Sequence, residues 1–525
     1  MKIQVLIIGA GATGAGIARD LALRGLHCLI VDKKDVNAGA SGGNHGLLHS
    51  GARYVGSDFE AAHECAQEGQ ILKTYASHCI EKTGGFFVAV EGDDEQYIAN
   101  FQSSCEKCGI KSKSIDIKDA LEMEPHLSKQ LIAAYEVPDA SVDPFMLSLD
   151  NIAHARQLGS TYLRYSEVTG FDIQNKKIEC VHIKNNLSGD SLDIYPEWVI
   201  NASGAWAGYI TQMADIPLNV LFSKGTLLVT QKRLSQRVIN RLRQASDADI
   251  LVPGGAVSII GTTSVRIDDP DDIWPTIQEV DSIVEEGEQM LPILGTTRYI
   301  RAYCGVRPLV SQPGATDDRN VSRGFALIDH EEHGVSNMTT ITGGKLTTFR
   351  LMAEKTANLV CNKLGISTPC TTHITPLPSS TDGRWTEPGL TPQEWMKDHC
   401  ANDTMLCECE MIPKSAIDNI ISNMHSKNKS VDLTGIGLRS RVGKGPCQGT
   451  FCSQRIAAYM VDRGDISGKE SVNQLKHFLQ ERWRGQRSLL WDMPMVQSEL
   501  QEAIHCGLLN LDGCFSETPS MEVKS

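Results

Sequence analysis

The chain has 525 residues, 41% hydrophobic and 22% charged, a globular composition that excludes both a disordered polypeptide and one with the apolar excess of a membrane protein. Acidic residues outnumber basic ones, 64 to 50, for a formal charge of −14. That balance disfavours nucleic acid as a partner, because phosphate backbones need a net basic face, yet it allows one small anion gripped by a few arginines.

The apolar start, Val5 to Ala18, runs 14 residues and is rich in glycine, too short to span a bilayer, and no leader is visible. With 16 cysteines and no leader, the expectation is a reducing, cytoplasmic protein with free or metal-bound thiols. Nine of them fall in residues 1–399 and seven in the last 126, which places a cysteine-using module at the C-terminal end.

In chain order, Ile3 to Ile8 reads as a buried strand, a helix follows to about Leu23, and His27 to Val31 forms a second strand ending at Asp32, a βαβ unit. The region from about 60 to 340 mixes helices with strand-like runs such as Glu197 to Ile200 and Val257 to Ile260. A long helix is predicted over Leu346 to Leu364. Between Pro369 and Pro392 lie five of the 20 prolines, which reads as a linker or irregular crossing segment. Beyond it, helices are predicted over Lys414 to Met424 and from near Cys447 to Met460. An amphipathic stretch, Ser471 to Trp483, places Leu475, Phe478, Leu479 and Trp483 on one inward face. No internal repeat is found.

Gly9-Ala10-Gly11-Ala12-Thr13-Gly14 follows the first strand and opens the helix, and Asp32 stands 18 residues after Gly14. In this context Gly9 permits a tight turn, Gly11 lets backbone amides approach a pyrophosphate, and Gly14 allows close helix–strand packing. The anion would sit at the helix N-terminus, and Asp32 would accept hydrogen bonds from a ribose. That fingerprint alone does not separate FAD from NAD. Three further segments do: residues 39–54, a small-residue loop including Ser41, His45, Gly46, His49, Arg53 and Tyr54; Val199 to Ala207, a strand entering a turn at Ala202 and Gly204; and Ile341 to Thr348, with Gly343, Gly344 and Lys345. Together they resemble the FAD-dependent oxidoreductases of the glycine-oxidase and glycerol-3-phosphate-dehydrogenase superfamily. The resemblance implies an α/β fold, a Rossmann-like FAD-binding domain with an interleaved substrate domain.

Oxidising an alcohol with a flavin requires a hydride acceptor, a base for the hydroxyl proton, and cations to hold an anionic substrate. Leu48 to Tyr54, Gly261-Thr262-Thr263, Gly305-Val306-Arg307-Pro308-Leu309 and Gly343 to Thr348 are similar to the flavin-dependent glycerol-3-phosphate dehydrogenases. The resemblance implies that Arg53, Arg307 and Lys345 grip the phosphate and polarise the reacting oxygen, with Tyr54 and Thr263 in the substrate site. His49 is the candidate base, because imidazole titrates near neutrality. Arg307 can stabilise the forming oxyanion but stays protonated. His45 packs beneath the flavin or hydrogen-bonds its loop.

Cys407-Glu408-Cys409 is followed 38 residues later by Cys447 and then Cys452, two close pairs that suggest a four-sulfur metal site. Structural zinc usually uses Cys-x-x-Cys knuckles, and this spacing differs. The pattern is similar to the bacterioferritin-associated-ferredoxin-like [2Fe-2S] domain, a small helical module. Gly443-Lys444-Gly445-Pro446 matches that family's glycine-rich approach, and Arg439, Arg441 and Lys444 would offset cluster charge; zinc is the minority alternative. Cys105 and Cys108 form a Cys-x-x-Cys without a thioredoxin-like setting and read as chance thiols.

The order of these parts resembles the catalytic subunits of the anaerobic glycerol-3-phosphate dehydrogenases over nearly the whole chain. The resemblance implies oxidation of sn-glycerol 3-phosphate to dihydroxyacetone phosphate, with electrons passed through iron–sulfur centres to a quinone. It further implies a second flavoprotein subunit, with FMN possible in the complex, and an iron–sulfur subunit that anchors both at the cytoplasmic face of the inner membrane. The expected boundaries are 1–368 for the FAD and substrate domain, 369–400 for a proline-rich linker, 401–460 for the [2Fe-2S] domain and 461–525 for a helical tail. Two other readings stand beside this one: a flavin oxidase of a 2-hydroxy or amino acid, and an iron–sulfur carrier with a vestigial flavin domain.

Overall fold

The computed structural model describes residues 1–310, 324–398, 400, 402–428 and 431–511. It divides into two compact units, Met1–Tyr299 with Tyr303–Pro388, and Ile300–Ala302 with the chain from Gly389 onward.

In the first unit, strand β1 (Lys2–Ile8) buries the run Val5 to Ile8 completely, the pattern of a parallel strand covered on both faces. Helix α1 (Ala12–Leu23) leads to strand β2 (Cys28–Val31), which pairs parallel with β1, Ile8 beside Val31. On its other side β1 pairs parallel with Ser191–Asn201, Ile8 beside Asn201. That strand in turn pairs parallel with Met338–Gly343, Asn201 beside Thr340. Thr161–Leu163 extends the β2 edge, while antiparallel strands complete an eight-stranded sheet. The small residues of α1 permit tight packing: a Cβ on Gly16 would lie 3.0 Å from the Phe349 ring of the helix Phe349–Lys363. That helix follows a short 3-10 turn at Leu346–Thr348, so the long late helix starts three residues after its expected position.

A second, nine-stranded sheet is assembled from interleaved parts of the chain, including Gly85–Val90, Leu131–Val137, Val220–Thr230, Val257–Gly261 and Tyr299–Val310. The fold is therefore α/β, with the nine-stranded sheet inserted in the chain between strands of the eight-stranded sheet.

The proline-rich segment up to Pro388 belongs to the first unit. Arg19, buried within α1, donates from Nη2 to the carbonyls of Thr375 at 2.8 Å and Pro376 at 3.1 Å, and the Leu377 amide donates to the Tyr75 carbonyl at 2.8 Å. Residues 369–388 thus satisfy buried donors of the first unit, whereas the sequence pattern places a linker over 369–400. The second unit combines the helices Leu390–Lys397, Lys414–Asn428, Leu433–Leu438, Cys452–Asp462, Gly468–Gln486 and Met493–Leu509 with a two-stranded ribbon, Met405–Cys407 with Ile412–Pro413. Gly468–Gln486 starts at a capping box between Ser467 and Glu470 and buries Leu475 and Phe478, while Trp483 is 40% exposed. The expected tail 461–525 lies in the same unit as the cysteine pairs as far as Leu511; its last residues, 512–525, lie outside the described residues. Among the described residues no helix is long and apolar enough to cross a membrane.

Arg350 and Glu68 form a buried bidentate pair, Nε to Oε2 at 2.7 Å and Nη2 to Oε1 at 2.5 Å, joining the late helix to Phe59–Tyr75. Glu68→Leu leaves part of a buried guanidinium without its partner and is expected to cost about 3 kcal/mol. Chemical denaturation of the variant measures this, and an unchanged midpoint would show the pair to be energetically neutral.

Candidate active site

The loops that follow the three neighbouring parallel strands face one cavity of about 820 Å³. The first is the glycine turn. Gly9 has φ +111°, and a Cβ there would lie 2.5 Å from the Ala202 carbonyl oxygen; a Cβ on Gly14 would lie 2.0 Å from that of Gly9. These positions admit glycine alone, and they hold the N-terminus of α1 open toward the cavity. Ser41 takes part in that end, its hydroxyl accepting the Ala12 amide at 2.9 Å. Asp32 accepts the amides of Ala10 and Lys34, each at 2.8 Å, and burial pushes its pKa up to about 6. The second loop carries Ala202 and Gly204; the Thr342 hydroxyl donates to the Gly204 carbonyl at 3.0 Å and so ties it to the third. In the third, Gly343 and Gly344 have φ of +85° and +70°, a left-handed pair that brings Lys345 to the cavity.

The small-residue loop is organised by a residue to which its sequence pattern assigns no role, Asn44. Its amide donates to the carbonyls of Ala40 and Ser41, and its Oδ1 accepts the Gly46 amide at 2.7 Å. Gly46, at φ +69°, turns the chain against Val142 beyond the cavity wall. Gly43 meets Gly305 so closely that a Cβ on Gly305 would lie 1.9 Å from the Gly43 oxygen. This crossing carries the strand of Arg307 past the loop of His45 and His49. Asp139, which no sequence motif marks, accepts the Ser50 amide at 2.7 Å and the Asn240 side-chain amide at 3.0 Å.

The expected substrate residues converge. His49 lies with its ring centroid 5.4 Å from Tyr54 and 6.3 Å from His45, and Lys345 Nζ is 5.0 Å from the Tyr54 ring centre. Arg53 is paired with Asp249 at 2.9 Å, yet its Nη1 is buried with no hydrogen-bond partner among the described residues. His45 Nδ1 is in the same condition. Burial, then Arg307 and Arg53, lowers the His45 pKa to about 3; burial, then His45, Arg53 and Lys345, holds His49 well below 6.5. Both imidazoles are neutral near pH 7, the protonation state a proton acceptor needs. Thr263 lines the wall too, but its hydroxyl is turned to Glu279 at 2.9 Å rather than into the cavity. All expected nucleotide and substrate residues except Gly14 and Gly46 line the cavity.

Trp206 lies in the second strand-and-turn motif, where the sequence gives it no role. Its Nε1 donates to Asp271 at 2.8 Å, and Lys33 packs over its ring at 4.3 Å while pairing with Asp271. Asp249, Asp139 and Asp271 carry no local motif signal. Gly43 and Gly305 both fall in small-residue motifs, and those motifs were the only signal for their crossing.

In the second unit the four expected cysteines are brought together. Cys407 and Cys409 sulfurs are 3.8 Å apart and Cys409 and Cys447 sulfurs 3.6 Å, with Cys452 adjoining Cys407 and Cys447. Sulfurs that share one metal at bonds of about 2.3 Å lie roughly 3.8 Å apart, so the Cys407–Cys409 and Cys409–Cys447 separations suit thiolates around a metal or cluster. Neighbouring thiols, then the amides of Gly449 and Phe451, favour Cys447 as the thiolate, and a Cβ on Gly445 would lie 2.6 Å from Cys409 Sγ. Of the expected compensating cations, Arg441 pairs with Glu410 at 2.5 Å, and Arg439 donates to the Gly435 carbonyl at 3.1 Å. Arg482, which no motif marks, packs on Gly443 with its Nε buried and without a partner among the described residues, and burial lowers its pKa to about 9. By contrast Cys105 and Cys108 are buried in an apolar cluster, and burial pushes Cys105 up to about 12, a resting thiol.

The glycine turns, the carboxylate at the second strand and the shared cavity form a dinucleotide site, and a family profile described as FAD dependent oxidoreductase matches residues 4–359 and so gives the class of the protein. The A-type subunit of the anaerobic glycerol-3-phosphate dehydrogenase of Escherichia coli K12 is 41% identical, with 97% of each chain covered. Its counterpart in Haemophilus influenzae is 39% identical over 98% of this chain and 94% of that one, and the A1-type subunit of Haloferax volcanii is 35% identical over 97% and 91%. Glycerol-3-phosphate dehydrogenase of Bacillus halodurans, complexed with FAD, shares the fold at a TM-score of 0.65 and 20% identity, covering 94% of this chain and 96% of that one. The chain belongs to the FAD-dependent oxidoreductase family and, within it, to the A-type subunits of the anaerobic glycerol-3-phosphate dehydrogenases.

Gly14→Val drives a side chain into the Gly9 carbonyl and is expected to leave the purified protein with less than about a tenth of its FAD, read from the flavin absorbance per chain. Full flavin occupancy in that variant would remove the glycine turn from the cofactor site.

Proposed function

We propose that the chain oxidises sn-glycerol 3-phosphate to dihydroxyacetone phosphate, using FAD held in the cavity. The convergence of Arg53, Arg307 and Lys345 with a neutral His49 on the wall shared with the glycine turns carries this reading. It agrees with the names of the relatives at 35–41% identity. Bound FAD supplies the acceptor for the hydride leaving the substrate's secondary carbon. The three cations hold the phosphate and orient that carbon, guanidinium forks matching phosphate oxygens and Lys345 acting as a point charge. His49 takes the hydroxyl proton, and Arg307 stabilises the negative charge that develops on the oxygen. The FAD-side residues are Gly9, Gly11, Gly14, Asp32, Ser41, His45, Gly46, Ala202, Gly204, Gly343 and Gly344.

Cys407, Cys409, Cys447 and Cys452 would hold a [2Fe-2S] cluster, which supplies one-electron transfer. The Cys-x-Cys and Cys-x4-Cys spacing, unlike the Cys-x-x-Cys knuckles of structural zinc, supports a cluster over zinc, and the buried Arg482 would offset the negative charge of the site. Electrons would then reach a membrane quinone through partner subunits, a second flavoprotein and an iron–sulfur anchor, which would place this chain peripherally at the cytoplasmic face. The lettered subunit names of the relatives support such a complex.

Adding glycerol 3-phosphate to the anaerobically purified chain is expected to bleach its flavin bands above a broad iron–sulfur background, with about two irons and two sulfides per chain. Flavin bands unmoved by glycerol 3-phosphate but bleached by a hydroxy or amino acid would overturn the substrate assignment, and zinc in place of iron would overturn the cluster. Because His49 acts unprotonated and its pKa is lowered, kcat/KM should show no acid limb near pH 6.5 and should fall only at more acidic pH. His49→Gln is expected to lower turnover by about 10²–10⁴-fold with FAD retained. A pH profile with its acid limb at 6.5 or above would argue for another base.

A further inference from the structure

The cation nearest the expected oxyanion, Arg307, is set by a chain of contacts that leads out of the cavity. Its guanidinium lies against Gly225, where a Cβ would meet Nη2 at 2.5 Å and Cζ at 2.9 Å. Nη1 donates to the Thr263 carbonyl at 3.1 Å and to Ser223 Oγ at 3.4 Å, and Nη2 donates to the Thr262 hydroxyl. Thr263 is itself fixed. Its hydroxyl accepts the Thr226 amide at 3.0 Å and donates to Glu279 Oε1 at 2.9 Å. Glu279 Oε2 accepts from Lys224 Nζ at 2.8 Å, and both side chains are only 8% exposed. The same carboxylate accepts the Thr276 amide and hydroxyl in the capping box that opens the helix Ile277–Met290, and Lys224 also donates to the Trp274 carbonyl at 2.7 Å. Lys224 and these hydrogen bonds hold Glu279 ionised, below the usual carboxylate range.

We propose that Glu279, together with Lys224, is a positioning residue for the substrate: it fixes the Thr263 hydroxyl so that the 262–263 segment sets the plane and reach of the Arg307 guanidinium. This rests on the reading of the cavity as a glycerol 3-phosphate site. Glu279 does not line the cavity. A helix cap needs only an acceptor for the first-turn amides; the second bond, to Thr263, and the buried ammonium are additional to that need. A carboxylate satisfied by four donors on three segments is a rigid support, and a guanidinium hung from it through one threonine inherits that rigidity.

The test is a double-mutant cycle on the full flavin-loaded chain. Thr263→Val and Glu279→Gln are each expected to lower kcat/KM for glycerol 3-phosphate by about tenfold or more, with FAD content unchanged, while Thr263→Ser, which keeps the hydroxyl, restores activity to within about threefold of the parent. In an Arg307→Ala background both substitutions should add almost nothing, because their effect passes through Arg307. Multiplicative losses in the Arg307→Ala background, or a Thr263→Val enzyme with parental kinetics, would overturn the proposal; should Glu279→Gln fail to fold, the Thr263 pair decides alone. If the parent does not oxidise glycerol 3-phosphate, the functional reading fails. The same cycle is then read from the dissociation constant of inorganic phosphate, followed by its perturbation of the flavin spectrum, with the same two outcomes.

Discussion

The parallel register that sets Ile8 beside Asn201, and Asn201 beside Thr340, is the constraint on which the rest of the first unit depends. Three strands far apart in the chain end level with one another, so the turns that follow them open onto the same space. Asn201 reinforces the alignment from inside: its side-chain amide donates to the Ala207 carbonyl at 3.0 Å and the Thr340 hydroxyl at 3.2 Å, while its Oδ1 accepts the Ser203 hydroxyl at 2.6 Å. A one-residue slip would move the small residues of one turn away from the others and reverse the faces of the strand. This is the general geometry of ligand sites at the carboxyl ends of parallel strands.

On that platform the electrostatics follow from burial and from cations packed close together. Arg53 is anchored by Asp249, Arg307 by hydroxyls and a carbonyl, and Lys345 by its place on a left-handed glycine pair. Burial first, and then these neighbouring cations, keeps His45 and His49 neutral, since a protonated ring would add charge to an already positive, poorly solvated cavity. The same arrangement that would attract an anion therefore keeps the imidazoles beside it unprotonated.

The nucleotide half of this site was legible in the sequence because each of its parts is a contiguous run with a steric rationale: Gly9 and Gly14 against neighbouring carbonyls, Gly343 and Gly344 at positive φ. Arg53, Arg307 and Lys345 were legible because they sit inside such runs. Glu279, Asp249 and Arg482 were not. Glu279 looks like any capping glutamate at the first turn of an amphipathic helix, and only the fold shows that its second oxygen reaches Thr263. Thr263 itself was placed near the substrate from its motif, but which way a hydroxyl turns is decided by its tertiary partners. The proline-rich stretch left a linker and an irregular crossing segment both open for a related reason: composition signals irregular backbone, while the buried donors of Arg19 that recruit it are some 350 residues away.

The interleaving of the two sheets has a consequence for biosynthesis. The strand Met338–Gly343 completes the register with Asn201 and delivers Gly343, Gly344 and Lys345, so a nascent chain that has released the glycine turn of α1 still lacks one wall of its cavity for more than 300 further residues. Flavin capture is then an event of late translation or after it. Ribosome-bound intermediates must keep Val5 to Ile8 from wrong partners until the last neighbouring strand emerges.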